Sequence, residues 1–133
     1  MKIIQRALVF LVLAGLLTSL AGCNAPKVEA ANADEVKVYA DPAAEKIFAG
    51  ISEKNYAGFS EDFDQKMKES LTEEKFNEIV NQLGECEGQG ITGADSVQGF
   101  TRAYYKAKSS KLAEVTFTIV FSGDKKVSGL FYK

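Results

Sequence analysis

The sequence predicts an α+β fold: N-terminal helices packed on a curved antiparallel sheet of about four strands. Three observations carry this expectation. From Ala44 to Leu83 the apolar residues recur three and four apart, the period of a helix face. From Phe100 to Tyr132 they alternate with polar residues, the period of a half-buried strand. The two kinds of segment follow one another without interleaving, which is the order of an α+β fold and not of a parallel doubly wound one. At 133 residues the chain has room for one ordinary domain.

Asp41-Pro42 reads as a helix opening, with Asp as N-cap and Pro at the first helical position. Ala44, Ile47, Phe48 and Ile51 form the apolar stripe of that helix, and Asn55 can end it. Tyr56, Phe59 and Phe63, then Met67 and Leu71, continue at helical spacing. Thr72 is an N-cap, with Glu73 and Glu74 in the electropositive first turn and Phe76, Ile79, Val80 and Leu83 as the stripe; Gly84 is a natural stop.

Past Gly84 the period changes. A weak strand carries Cys86 and Ile91, with a hairpin turn expected from Gly93 to Ser96. Phe100–Lys108 follows, its Ala103, Tyr105 and Ala107 on one face and Arg102, Tyr104 and Lys106 on the other. Leu112–Phe121 has the cleanest alternation, with Val115, Phe117, Ile119 and Phe121 inward. Ser122–Lys125 is a turn, and Val127, Gly129 and Phe131 close the sheet with Leu130 and Tyr132 opposite. A sheet that curls round a helix leaves a conical interior. Its outer face would carry Phe100, Tyr104, Leu112, Val120, Leu130 and Tyr132, enough apolar area for a homodimer.

Composition excludes several chemistries. The absence of His removes Ser-His and Cys-His catalytic arrangements and most zinc sites. A net charge of −2 lacks the footprint of a nucleic-acid binder. No cofactor motif is present. Glu61, Asp62 and Asp64 lack the alternating ligands and Gly of a calcium loop, so no metal site is expected.

The N-terminus has its own grammar. Lys2 and Arg6 precede an unbroken apolar run from Ala7 to Leu17, too short to span a bilayer and of the length of a signal-peptide core. Leu20-Ala21-Gly22-Cys23 then resembles the lipobox of bacterial lipoprotein precursors. The resemblance implies cleavage after residue 22 and acylation of Cys23. Cleavage leaves 111 residues and, with Lys2 and Arg6 gone, a formal charge of −4. Two or three acyl chains hold a protein stably where one is marginal. The expected location is the outer face of the plasma membrane, or the outer membrane of a host with two. Residues 23–40 read as the acylated Cys and a flexible tether with a reach of about 20–25 Å by random-coil scaling, and residues 41–133 as the folded domain. Lipidation of Cys23 leaves Cys86 without an intramolecular disulfide partner, either a small buried hydrophobe or an intermolecular or reactive thiol; the flanking Glu85 and Glu87 favour the buried, structural reading.

Asn55-Tyr56-Ala57-Gly58-Phe59, Phe63, Met67-Lys68, Leu71-Thr72, Phe76, Leu83-Gly84 and the closing Lys126-Val127-Ser128-Gly129-Leu130-Phe131 together resemble the DUF3887 family. The resemblance runs from Asp41 to the C-terminus and implies a cystatin-like, NTF2-like α+β fold without specifying an activity. Members often carry an aromatic residue where Cys86 stands, which implies more room at the start of this sheet. That fold hosts enzymes and non-catalytic binding modules alike.

Enzymes of the fold place a carboxylate, with His or Tyr, inside the cone. Here the acids sit at helix surfaces and turns, and none is clearly inward. The first reading is therefore a lipid-anchored cell-envelope protein with a non-catalytic binding domain, open to a small apolar ligand or peptide, with Tyr56, Cys86, Arg102, Tyr105 and Phe117 as pocket candidates. The second is a small isomerase or hydrolase working from the cone. A third, purely structural role would leave the cone filled.

Overall fold

The computed structural model describes residues 26–133. The signal segment and Cys23 lie outside the described residues. The order is β1 (Val28–Ala30), α1 (Ala33–Glu53), α2 (Tyr56–Phe59), α3 (Gln65–Ser70), α4 (Glu73–Leu83), β2 (Cys86–Val97), β3 (Phe100–Ser109), β4 (Ala113–Phe121) and β5 (Val127–Tyr132). The strands form one antiparallel sheet in the order β1-β2-β3-β4-β5, with the helices packed against it. The α+β class holds, with five strands where the sequence predicts about four.

The additional strand and the start of α1 correct the expected tether. Asn32, not Asp41, caps α1: its side chain accepts from the Asp34 N–H at 3.0 Å, and Asp34 and Glu35 occupy the first turn. Val36 and Ala40 are buried in the core, and Tyr39 meets Phe121 edge-on at 5.1 Å, so the folded domain begins at Val28. Pro42 therefore lies inside a helix of 21 residues. A proline there removes the N–H that would bond the carbonyl four residues back. That carbonyl belongs to Val38, which is 78% exposed, so water can take the place of the missing donor.

α1 ends at Lys54 in the left-handed conformation, and Asn55 then caps α2 by accepting from Gly58 N–H. Asp64 caps α3 through the Met67 N–H at 2.7 Å. Thr72 has the extended backbone of an N-cap but makes no capping hydrogen bond with its side chain.

β2 is one strand of 12 residues with no turn from Gly93 to Ser96. Register shifts between Gly88 and Gly90 and between Ile91 and Gly93 leave Gln89 and Thr92 as extra residues beside the glycines, bulges that bend and twist the strand. The hairpin turn falls at Gln98-Gly99, both at positive φ, as a two-residue turn between right-twisted strands requires. Gly88 marks a close approach: a Cβ there would stand 2.8 Å from the Phe48 ring.

β3 and β4 follow the predicted alternation. Ala103, Tyr105, Ala107, Val115, Phe117, Ile119 and Phe121 are all buried, and Phe48 of α1 packs edge-on against Phe117 at 5.1 Å and Tyr105 at 6.3 Å. β5 departs from it. A register shift opposite Val120 and Phe121 places Ser128 as an extra residue, and beyond it the faces exchange. Leu130 and Tyr132 turn toward the core, with Tyr132 5.6 Å from Phe117, while Phe131 is 63% exposed. The outer face thus carries Phe100, Tyr104, Val120 and Phe131, not Leu130 and Tyr132; Leu112 lies in the turn before β4.

Candidate functional site

The five pocket candidates do not converge on one cavity. Tyr56 sits among the helices, its hydroxyl donating to the Leu71 carbonyl at 2.7 Å and its ring 5.6 Å from Phe76. Arg102 lies on the opposite face of the sheet, donating to both carboxylate oxygens of Asp95 at 2.6 and 2.8 Å; Tyr104 donates to the same carboxylate at 2.8 Å. Cys86 is buried at the start of β2, clamped through its backbone by Ser52, whose hydroxyl accepts from Cys86 N–H and donates to Cys86 C=O, both at 2.9 Å. Burial pushes its thiol pKa up, away from reactivity. Tyr105 and Phe117 do share an environment, both packed against Phe48 in the core, and of the two only Tyr105 reaches an opening.

Tyr105 meets a carboxylate that sequence reasoning missed. Its hydroxyl donates to Asp41 Oδ1 at 2.6 Å, across the seam between α1 and the sheet. A cleft of about 140 Å³ opens beside the pair, lined also by Phe48, Glu45, Gly88 and Gly90. Burial and then Asp41 push the Tyr105 phenol far up. Asp41 escaped notice because Asp before Pro reads as a helix start. The hint lay in the spacing: Asp41, Ala44, Glu45 and Phe48 lie on one helix face.

A larger opening lies at the β5 edge of the sheet. A groove of about 380 Å³ runs between α3 and β5, lined by Lys66, Met67, Ser70 and Leu71 on one wall and Ser128 to Phe131 on the other. Local chain chemistry builds both walls. The Asp64 cap aims α3 so that Lys66, Met67 and Ser70 share the groove face, while Gln65 and Glu69 bond each other on a different face. The Ser128 bulge leaves Leu130 and Phe131 on adjoining sides of the strand edge.

β5 is an edge strand, and part of its edge is already in use. Asp64 N–H donates to Val127 C=O at 2.9 Å and Val127 N–H to Asp62 C=O at 2.8 Å, a short parallel bridge centred on Phe63. The chain then turns away into α3. Thr116 and Lys133 exchange both backbone hydrogen bonds, and from that pair the register alternates along β4 and β5. Leu130 and Tyr132 therefore occupy the pairs that are not hydrogen-bonded to β4, and their N–H and C=O groups face outward. Among the described residues the backbone of neither makes another hydrogen bond, while the Tyr132 hydroxyl donates to Gln82 Oε1 on the inner side.

The acidic residues near this region have structural partners. Lys46 bridges Glu61 and Asp62, each at 3.2 Å, and Asp64 caps α3. Among the described residues no group of three or more metal-ligating side chains comes together, and no helix is long and apolar enough to cross a membrane.

The family model described as "Protein of unknown function (DUF3887)" matches residues 44–130. No curated protein matches the chain, and no solved structure does. The match takes in α2, α3, α4 and β2 to β4 whole, with the C-terminal part of α1 and the first part of β5, and so the groove walls apart from Phe131. The chain belongs to the DUF3887 family.

Proposed function

We propose that this member of the DUF3887 family is a lipid-anchored cell-envelope protein whose folded domain is a non-catalytic binding module, and that the groove between α3 and β5 is its binding site. The groove carries the reading. It is the size of a small-ligand or peptide site, and Met67, Leu71, Leu130 and Phe131 give it an apolar lining. The interior of the sheet, by contrast, is packed with Phe48, Tyr105, Phe117, Ile119 and Phe121 and offers little room. The sequence at Leu20–Cys23 supports the anchor, with acylation at Cys23 holding the module outside the cell.

The competing enzymatic reading would centre on Asp41 and Tyr105. The pair is an acid and a hydroxyl of the types such enzymes use. Here Tyr105 gives its only proton to Asp41, so neither group is poised to serve a substrate, and the adjoining cleft of about 140 Å³ holds only a few heavy atoms.

Two measurements test the proposal. Cys23→Ser should abolish fatty-acid labelling and release the protein from membranes; a variant that stays processed and membrane-held refutes the anchor. For the groove, mass spectrometry should identify molecules retained by the purified full chain and show them missing from Ser70→Trp, which fills the groove from an exposed position. Equal retention by both proteins would remove the groove as the site.

A further inference from the structure

The edge geometry says more about the occupant, provided the groove is the binding site as proposed above. We infer that an acidic, extended segment of a partner protein adds to β5 as a sixth strand, bonding the outward N–H and C=O groups of Leu130 and Tyr132 and setting a carboxylate against Lys66.

The molecule already demonstrates this mode of pairing once. The Asp62–Asp64 segment lies along β5 as a strand would, bonds Val127 on both sides, and leaves after that single bridge. The track it vacates continues past Leu130 and Tyr132. A strand laid there would gain backbone hydrogen bonds, and its alternate side chains would fall over Met67 and Leu71 on one side and beside Phe131 on the other. Backbone bonds supply affinity in such a complex, and the pockets under alternate side chains supply selectivity.

Charge decides what kind of segment fits. Lys66 is the one charged side chain lining the groove, and Lys75 reaches the far end of the same wall, donating to the Ser70 carbonyl at 2.9 Å. Neither makes an ion pair among the described residues. Lys126 and Lys133 flank β5 in sequence. Lysines without an ion pair along the α3 wall, on an otherwise acidic chain, complement a segment rich in Asp or Glu. This charge also disfavours a second copy of β5, because two-fold edge pairing would bring like-charged walls together; lysines beside an edge strand are a known guard against self-pairing.

The test uses the full chain and three synthetic peptides: one alternating Val and Glu, one alternating Val and Lys, and the Val-Glu peptide N-methylated at alternate backbone positions. Fluorescence anisotropy should show the Val-Glu peptide binding about tenfold or more tightly than the Val-Lys peptide, and the N-methylated peptide not binding. Lys66→Glu should reverse the preference, with Lys66→Gln intermediate and circular dichroism unchanged. Hydrogen exchange at the Leu130 and Tyr132 amides should slow on binding. Peptides that bind without protecting those amides, but are lost in Ser70→Trp, would overturn strand addition and leave the groove reading intact. Equal binding of the Val-Glu and Val-Lys peptides would overturn the acidic preference. Peptides that bind equally to Ser70→Trp would overturn both readings.

Discussion

Tyr105 and Asp41, 64 residues apart, are joined by a 2.6 Å hydrogen bond that fastens α1 to the middle of the sheet. Tyr105 is 2% exposed, so its hydroxyl would otherwise sit in the core without a partner. Tyr105→Phe removes the donor and should cost about 1–2 kcal/mol in urea unfolding. The pH dependence has a definite sign. The folded phenol is held far above its usual value, first by burial and then by Asp41. The unfolded phenol titrates near pH ~10. Stability is therefore full below about pH 10 and falls as pH rises above it, because only the unfolded chain can release the proton. Tyr105→Phe should make that alkaline fall shallower, and an identical slope in both proteins would contradict the burial of this hydroxyl. Tyr104 and Tyr132, also shifted up, account for the fall that persists.

On the outer face the sign is opposite. Hydrogen bonds from Arg102, and then from Tyr104, hold the Asp95 carboxyl below the usual carboxylate range. Its contribution is present above the unfolded value of ~3.9 and is lost as pH falls through the lower folded value. The Arg102 side chain is 34% exposed, so screening keeps the contribution to about 1 kcal/mol or less at neutral pH. Asp95→Asn should show that loss at pH 7 and a flatter stability profile below pH ~4 in acid titration of the folded fraction.

Cys86 should be silent toward thiol reagents while the chain is folded. It is 7% exposed and burial pushes its pKa up, so its labelling rate should track global opening and rise with denaturant. Ser52→Ala removes both hydrogen bonds to the Cys86 backbone and should cost about 1–3 kcal/mol, speeding that labelling in proportion. Rapid modification of the native wild-type protein would disprove the burial.

These residues mark where the sequence was readable and where it was not. β3 and β4 were legible because their alternation is uninterrupted, so the burial of Ala103, Tyr105, Phe117 and Ile119 follows from period alone. The same period places Tyr105 and Phe117 inward; Phe117 is packed core, while Tyr105 is core that also walls the small cleft beside Asp41. The start of α1 was hidden because Asp41-Pro42 imitates an N-cap, and a local signal for starting a helix cannot reveal that one is already under way. The β5 edge was hidden by the Ser128 bulge: one extra residue exchanges the faces of everything after it. Glycines blur β2 in the same way, reading as a turn where the structure keeps them paired beside bulges at Gln89 and Thr92. The groove was out of reach because it forms between α3 and β5, elements far apart in sequence, and depends on a bulge and a short parallel bridge that leave no periodic trace.

The seat of α1 on α2 gives the sharpest mutational contrast. A Cβ at Gly50 would stand 2.6 Å from the Phe59 Cβ and 2.7 Å from both its Cα and its N. Backbone atoms cannot swing aside, so α1 and α2 would have to part. Phe59 cannot follow freely either, because its ring packs 4.6 Å from Phe76 and 5.1 Å from Phe63. Gly50→Ala should therefore cost about 3 kcal/mol or more, the upper range for overpacking. At Gly129 the added carbon meets only side-chain atoms of Val120 at 3.2 Å and Phe131 at 3.3 Å, which can yield slightly; the cost should be about 1 kcal/mol. Gly123, in the open turn before β5, has nothing within 4 Å, and Gly123→Ala should shift stability by less than about 1 kcal/mol in either direction. Urea midpoints should be lowest for Gly50→Ala, higher for Gly129→Ala and highest for Gly123→Ala. A Gly50→Ala protein as stable as Gly123→Ala would mean that α1 does not lie where the buried contact with Phe59 places it.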